Sequence, residues 1–253
     1  MTNHLSIHPG LIALFGSGET APAGRGVHEY LFRRLRAPIR VAVLETPAGF
    51  QPNSAWVAGR LAEFIQDRLQ NYHPQVTVVP ARRRDGSFST DDPQLTAPLL
   101  QANYIFMGPG SPTYAVRHLA GTRAWQRIVA RQRRGAVLAF ASAMAIAAST
   151  YALPVYEIYK VGEDPHWQAG LDLLGPYGLE LAIVTHWDNQ EGGGQSGHPL
   201  WLYGPGANAG AGGDAVPVGH AVGDRRAHGG GAGFLPGRGP RDGAQWRHGP
   251  AGR

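Results

Sequence analysis

The chain has 253 residues, no cysteine, 43% hydrophobic and 16% charged side chains, and a formal charge of +5. The missing thiols exclude disulfides, thiolate zinc sites and a cysteine nucleophile, so any covalent chemistry must use oxygen. There is no charged start followed by a long apolar run and no stretch of about 18 apolar residues, so a cytoplasmic protein without secretion signal or membrane span is the expectation.

Leu11 to Phe15 is a short continuous apolar run closed by Gly16-Ser17-Gly18-Glu19, the form of a buried parallel strand feeding a loop. A helix is expected from about Val27 to Arg36. Val41 to Leu44 repeats the strand pattern and ends in Glu45-Thr46-Pro47-Ala48-Gly49, after which Trp56, Leu61, Phe64, Ile65 and Leu69 recur at helical spacing. Val76 to Val79 reads as a third strand. The segment 91–101 opens with acids that favour a helix start and predicts a short helix before the strand Tyr104 to Met107. Gly108-Pro109-Gly110-Ser111-Pro112 is a tight loop. Helical stretches at 114–119 and 124–133 lead to the apolar strand Ala136 to Phe140, and a helix-like run from Ala143 to Ser149 follows at once. A later strand, Leu181 to Val184, is expected to deliver Thr185-His186-Trp187-Asp188. There is no internal repeat.

Strands alternating with helices imply an α/β fold: a doubly wound, mostly parallel, flavodoxin-like sheet with helices on both faces and ligand chemistry at the carboxyl ends of its strands. The turns at 16–19, 108–112 and 141–143 then share one edge. Residues 1–192 form the expected single domain.

From 193 onward composition changes. The last 61 residues are mostly Gly, Ala, Pro, Arg and His, and their six Arg against three Asp supply +3 of the net charge. A tail of this kind has too few branched and aromatic side chains to offset the entropy of ordering its backbone, so at face value 193–253 is disordered. Basic charge without stacking aromatics is a poor nucleic-acid signal, and no nucleic-acid partner is expected. Lys160 is the only lysine, which fits a GC-rich gene. Codons read one nucleotide forward let Gln195 to His198 encode NLDT, Ala207 to Ala215 encode RMQALEAML, and His220 to His228 encode MLLGIDEHT. The second string is a strong helix former and the third opens like a buried strand. The tail is therefore read as a frameshifted stretch.

Ser142 sits between a buried strand and a helix with almost no connecting residues. That spacing suits a nucleophile elbow, and it equally suits an ordinary serine N-cap. His186, after an apolar strand, is of the residue type best suited to general-base work at neutral pH, and a loop histidine would look the same. Glu157, Glu163, Asp164 and Asp188 are candidate acids to orient it. Gly16 and Gly18, and Gly108 and Gly110, could present backbone N–H groups to an oxyanion, although glycine at a strand end is also plain turn chemistry. Neither a phosphate-binding loop ending in Gly-Lys-Ser/Thr nor a full dinucleotide fingerprint occurs, so no nucleotide cofactor is expected, and no metal.

The strings GLIALFGSGE, RVAVLETPAG, YIFMGPGSPTY, GAVLAFASAMA and GLDLLGPYGLELAIVTHWDNQEGG, in that order, resemble the aspartyl dipeptidase and cyanophycinase family of serine peptidases, within the class I glutamine amidotransferase-like superfamily. The resemblance spans about Gly10 to Gly193. It implies Ser142 as nucleophile, His186 as base, Glu157 as the orienting acid, and oxyanion donors from Ala143 and the Gly108 to Ser111 turn. It implies a short peptide or amide as substrate and no cofactor; oligomeric state stays open, a homodimer included. Three positions depart from the family pattern. Phe140 and Met144 stand where the elbow usually has glycines, and Pro109, which has no N–H, stands for the first glycine of the loop. Two readings follow: a serine amidohydrolase, or a catalytically silent domain of the same fold that binds a small molecule or partner at the strand ends.

Overall fold

Five parallel strands form the central sheet: β1 (Ile12–Phe15), β2 (Arg40–Leu44), β3 (Gln75–Val79), β4 (Tyr104–Met107) and β5 (Val137–Ala141), in the spatial order β1-β5-β4-β2-β3. The computed structural model describes residues 8–186, all within one compact unit. Each strand is short, and β2, β4 and β5 are apolar along nearly their whole length because both their faces are covered.

The winding follows from the crossovers. The chain moves across the sheet from β1 to β2 to β3, then back through β4 to β5, and right-handed connections place the two sets of helices on opposite faces. On one face, α1 (Pro22–Phe32) and α2 (Ser54–Arg68) bring Leu31, Phe32, Leu61 and Ile65 against Val41, Val43, Tyr104, Phe106 and Ala139. On the other, α3 (Pro112–Leu119), α4 (Arg123–Arg133) and α5 (Ala143–Ala147) bring Leu119, Trp125, Ile128 and Met144 against Leu44, Ile105, Met107, Leu138 and Phe140. Alternate residues of β4 and β5 thus serve different cores, as a period of two demands. The doubly wound α/β expectation holds.

Three sequence expectations change. α1 starts at Pro22, five residues before the expected Val27, because Pro22 occupies its first turn and Gly24 is needed for packing: a Cβ there would lie 2.3 Å from the Gly18 carbonyl oxygen. Segment 91–101 forms only a 3-10 turn at Ala97–Leu100, since the Asp92 carboxylate accepts from the N–H groups of Gln94 and Leu95 and turns the chain instead. Residues 181–184 do not join the sheet; Ala182 makes a single parallel bridge to Tyr151, in the short strand β6 (Tyr151–Ala152) that pairs with β7 (Gln168–Ala169). No helix among the described residues is long and apolar enough to cross a membrane. The tail 193–253, with its expected disorder and frameshift, lies outside the described residues.

Candidate active site

The register of the parallel strands sets the site. Phe15 pairs with Ala141 and Met107 with Phe140, so one step past the strand ends Ser142 stands between Gly16 on the β1 side and Pro109 on the β4 side. The Ser142 N–H donates to the Phe15 carbonyl at 2.9 Å, which ties the turn to β1. Ser142 itself adopts φ 52°, ψ −117°. A serine in that region carries strain on the order of 1–3 kcal/mol, and such strain persists only where the surroundings enforce it. An N-cap has β-region backbone and a side chain bonded to its own helix; Ser142 has neither, and it makes no such cap bond.

Its hydroxyl lies 2.8 Å from His186 Nε2. The segment bearing His186 is hung from the far end of α5. Ile183 N–H donates to Ser149 Oγ at 3.0 Å, Leu181 N–H to Thr150 Oγ1 at 3.3 Å, and Thr150 N–H to the Leu181 carbonyl at 2.9 Å. The same short stretch holds the GLDLL block: Leu171, Leu173 and Gly170 N–H groups bond the carbonyls of Ala147, Ala148 and Thr150. Gly170 must be glycine here, because a Cβ would meet the Ser149 carbonyl oxygen at 1.9 Å. One anchor therefore serves both the sequence block and the histidine.

Phe140 and Met144 do not disturb the elbow. Both are fully buried in the core under α3 and α4, where the Phe140 ring lies 6.4 Å from that of Trp125. Of residues 140–144 only Ser142 has positive φ, so nothing in this backbone requires glycine on either side of it.

The loop glycines have packing reasons of their own. A Cβ on Gly108 would come within 2.5 Å of Leu61 Cδ1, and one on Gly110 within 1.8 Å of the Pro47 carbonyl oxygen. Ser111 N–H bonds that same Pro47 oxygen at 2.9 Å and its side chain caps α3 through Tyr114 N–H. Gly18, at φ 71°, turns the chain into α1, while Gly16 lies against the backbone of His186. The Ala143 N–H opens α5, a position that has no intrahelical acceptor.

The structure brings Ser142 and His186 together. The Glu157 carboxylate accepts from Thr113 Oγ1 at 3.0 Å, and Thr113 in turn accepts from Gln168 Nε2 at 2.9 Å. Glu163 lies 3.9 Å from His166 Nε2. Asp188 is outside the described residues.

Two supporting residues escaped the sequence reading. Glu45, buried at the end of β2, accepts from Ser54 Oγ at 3.0 Å and Arg82 Nε at 2.6 Å, fixing the turn on which Gly110 rests. His28, buried under α1, bonds the Glu19 carbonyl at 2.9 Å. Its signal was present, since Gly24, His28, Leu31 and Phe32 recur at helical spacing.

No family model matches the chain, and no curated protein does. Among solved structures it is similar to a peptidase from an acI-B1 Actinobacterium, with a TM-score of 0.58 and 20% identity over 72% of this chain and 70% of that one. A putative peptidase E protein from Listeria monocytogenes EGD-e matches at a TM-score of 0.46 and 15% identity, over 65% and 75%. The likeness is one of fold.

Proposed function

We propose that the chain is a serine-type amidohydrolase or peptidase acting on a short peptide or amide, as the resemblance to aspartyl dipeptidases and cyanophycinases implies. One observation carries the reading: Ser142, strained at φ 52°, holds its Oγ 2.8 Å from His186 Nε2. A neutral His186 with its proton on Nδ1 accepts the Ser142 hydroxyl proton at Nε2 as Oγ attacks the carbonyl carbon. The negative charge that develops on the carbonyl oxygen faces the Ala143 N–H and an N–H of the Gly108 to Ser111 turn. Protonated His186 then returns its proton to the leaving nitrogen, and water releases the acyl group by the same route reversed. Glu157 or Asp188 serves as the acid that orients His186. Similarity of fold to peptidases supports the class of chemistry. Pro109, which supplies no N–H beside Ser142, leaves fewer donors for the oxyanion, and one lost donor costs about 3–4 kcal/mol of transition-state stabilisation.

A fluorophosphonate probe tests the reading. Labelling is expected in the parent chain, absent in Ser142→Ala and reduced at least a hundredfold in His186→Gln. No labelling of a folded parent chain would favour the silent binding domain. We also propose that 193–253 is a frameshifted stretch following a domain of 1–192; the three protein-like strings in one consistent shift support this.

A further inference from the structure

His28 is fully buried in a box of rings, with Phe15, Phe64, Tyr104 and Phe106 centroids 5.0, 5.6, 6.0 and 5.1 Å away. A polar ring in such a box must satisfy both nitrogens. Nε2 lies 2.9 Å from the Glu19 carbonyl oxygen, which can only accept, so Nε2 carries the proton and donates. Nδ1 is then an acceptor and takes the Tyr104 hydroxyl, 2.5 Å away and also fully buried. The partners alone select the tautomer. Burial keeps the ring neutral at physiological pH, with its pKa lowered to about 4.

The carbonyl that His28 grips closes the 16–19 turn leaving β1. The rest of that turn is equally constrained: Gly18 O accepts from Ala21 N–H at 2.9 Å, and a Cβ on Gly24 of α1 would meet the Gly18 and Glu19 oxygens at 2.3 and 2.8 Å. At its other end the turn touches the site. A Cβ on Gly16 would lie 3.8 Å from His186 N, and the preceding Phe15 carbonyl accepts the Ser142 N–H. A box of four rings asks only for an apolar neighbour, so packing alone does not account for an imidazole there. Its distinctive contribution is the N–H that holds Glu19.

We infer that His28 is a positioning residue for the Ser142–His186 pair, acting from behind the sheet edge by fixing the Glu19 carbonyl and with it the turn that abuts His186. Its catalytic consequence rests on the serine-hydrolase reading above; its geometric consequence does not. His28→Phe keeps an aromatic ring, one atom larger, and removes the donor, His28→Gln keeps an N–H at about the reach of Nε2, and Tyr104→Phe removes the hydroxyl that selects the tautomer.

Three readouts apply to the full chain and these variants: the rate of fluorophosphonate labelling, the NMR titration of the His186 imidazole, and hydrogen exchange of the Ala21 amide. In His28→Phe, labelling is expected to slow about tenfold or more, since small misplacements of reacting groups cost that much. The His186 ring signals should titrate differently from the parent's, and Ala21 exchange should quicken by about tenfold. His28→Gln should recover most of each change, and Tyr104→Phe should fall between. A folded His28→Phe whose His186 titration and Ala21 exchange match the parent would overturn the inference, as would a His28→Gln no better than His28→Phe. If the parent chain does not label, the hydrolase reading fails by itself, and titration and exchange still decide the role of His28.

Discussion

Ser142 carries backbone strain, and that strain is measurable. With φ 52° and ψ −117°, a side chain at this position is disfavoured, and only glycine reaches the region freely. Ser142→Gly is therefore expected to be more stable than Ser142→Ala by about 1 kcal/mol, with neither labelled by a fluorophosphonate; equal denaturation midpoints would show that the turn is relaxed. His28 makes a second residue-scale prediction. Its pKa falls from 6.5 in the unfolded chain to about 4 in the fold, so between those values the unfolded state binds more protons. The stability His28 permits is fully present above pH 6.5 and declines as pH falls toward 4, by on the order of 3 kcal/mol in all. Urea unfolding across that window should show the loss, and a folded His28→Phe should show a shallower one. The strand-turn-helix around Ser142 was legible because a fully apolar strand runs straight into small residues and a helix, whereas φ, which separates an elbow from an N-cap, leaves no mark in composition. His28 fell within the expected helix, but Gly24 and Gly26 made the first turn of α1 look like loop, when Gly24 is there for its close approach to Gly18.

Among the elements, α5 has only five residues, yet its far end carries the histidine segment and the GLDLL block. The central strands and the longer helices could be read from apolar runs because β2, β4 and β5 are buried on two faces and the longer helices on one. Residues 181–184 misled the same reasoning: an apolar run has strand form only with a ladder partner, and here the hydroxyls of Ser149 and Thr150 take the amides of Ile183 and Leu181 instead. The anchor, rather than a sheet register, therefore sets the distance between His186 and Ser142. Gly170→Ala forces a methyl against the Ser149 carbonyl and displaces this anchor without touching the sheet. Fluorophosphonate labelling should fall by about tenfold or more through misplacement of His186, while the far-ultraviolet circular dichroism of the sheet and its helices stays near that of the parent. Unchanged labelling would mean that His186 is held from elsewhere.

For the whole molecule, the charge and the sheet edge point to the same stretch of chain. The tail supplies +3 of the +5 net charge, which leaves +2 on residues 1–192. Among the described residues β1 has a neighbour on one side only, β5, while Leu11 and Leu14 are 43% and 39% exposed. An exposed apolar edge invites pairing with other chains, and proteins ordinarily cover it. The shifted reading of His220 to His228, MLLGIDEHT, opens with the apolar run that such a cover needs, and the chain itself has HAVGDRRAH in its place. A gene restored by one nucleotide between the codons for Glu191 and Gln195 is thus expected to give more soluble protein with a higher melting temperature, by several degrees for each kcal/mol that the added elements contribute. A chain ending at Gly192 is expected to melt with the parent, because a composition so poor in branched and aromatic side chains offers little apolar surface to bury. Melting curves of the three chains separate the cases: a restored chain no more stable than the other two, or a source gene whose frame runs through this stretch unbroken, would mean that the Gly-rich tail belongs to the native protein and that β1 is covered, if at all, by something else.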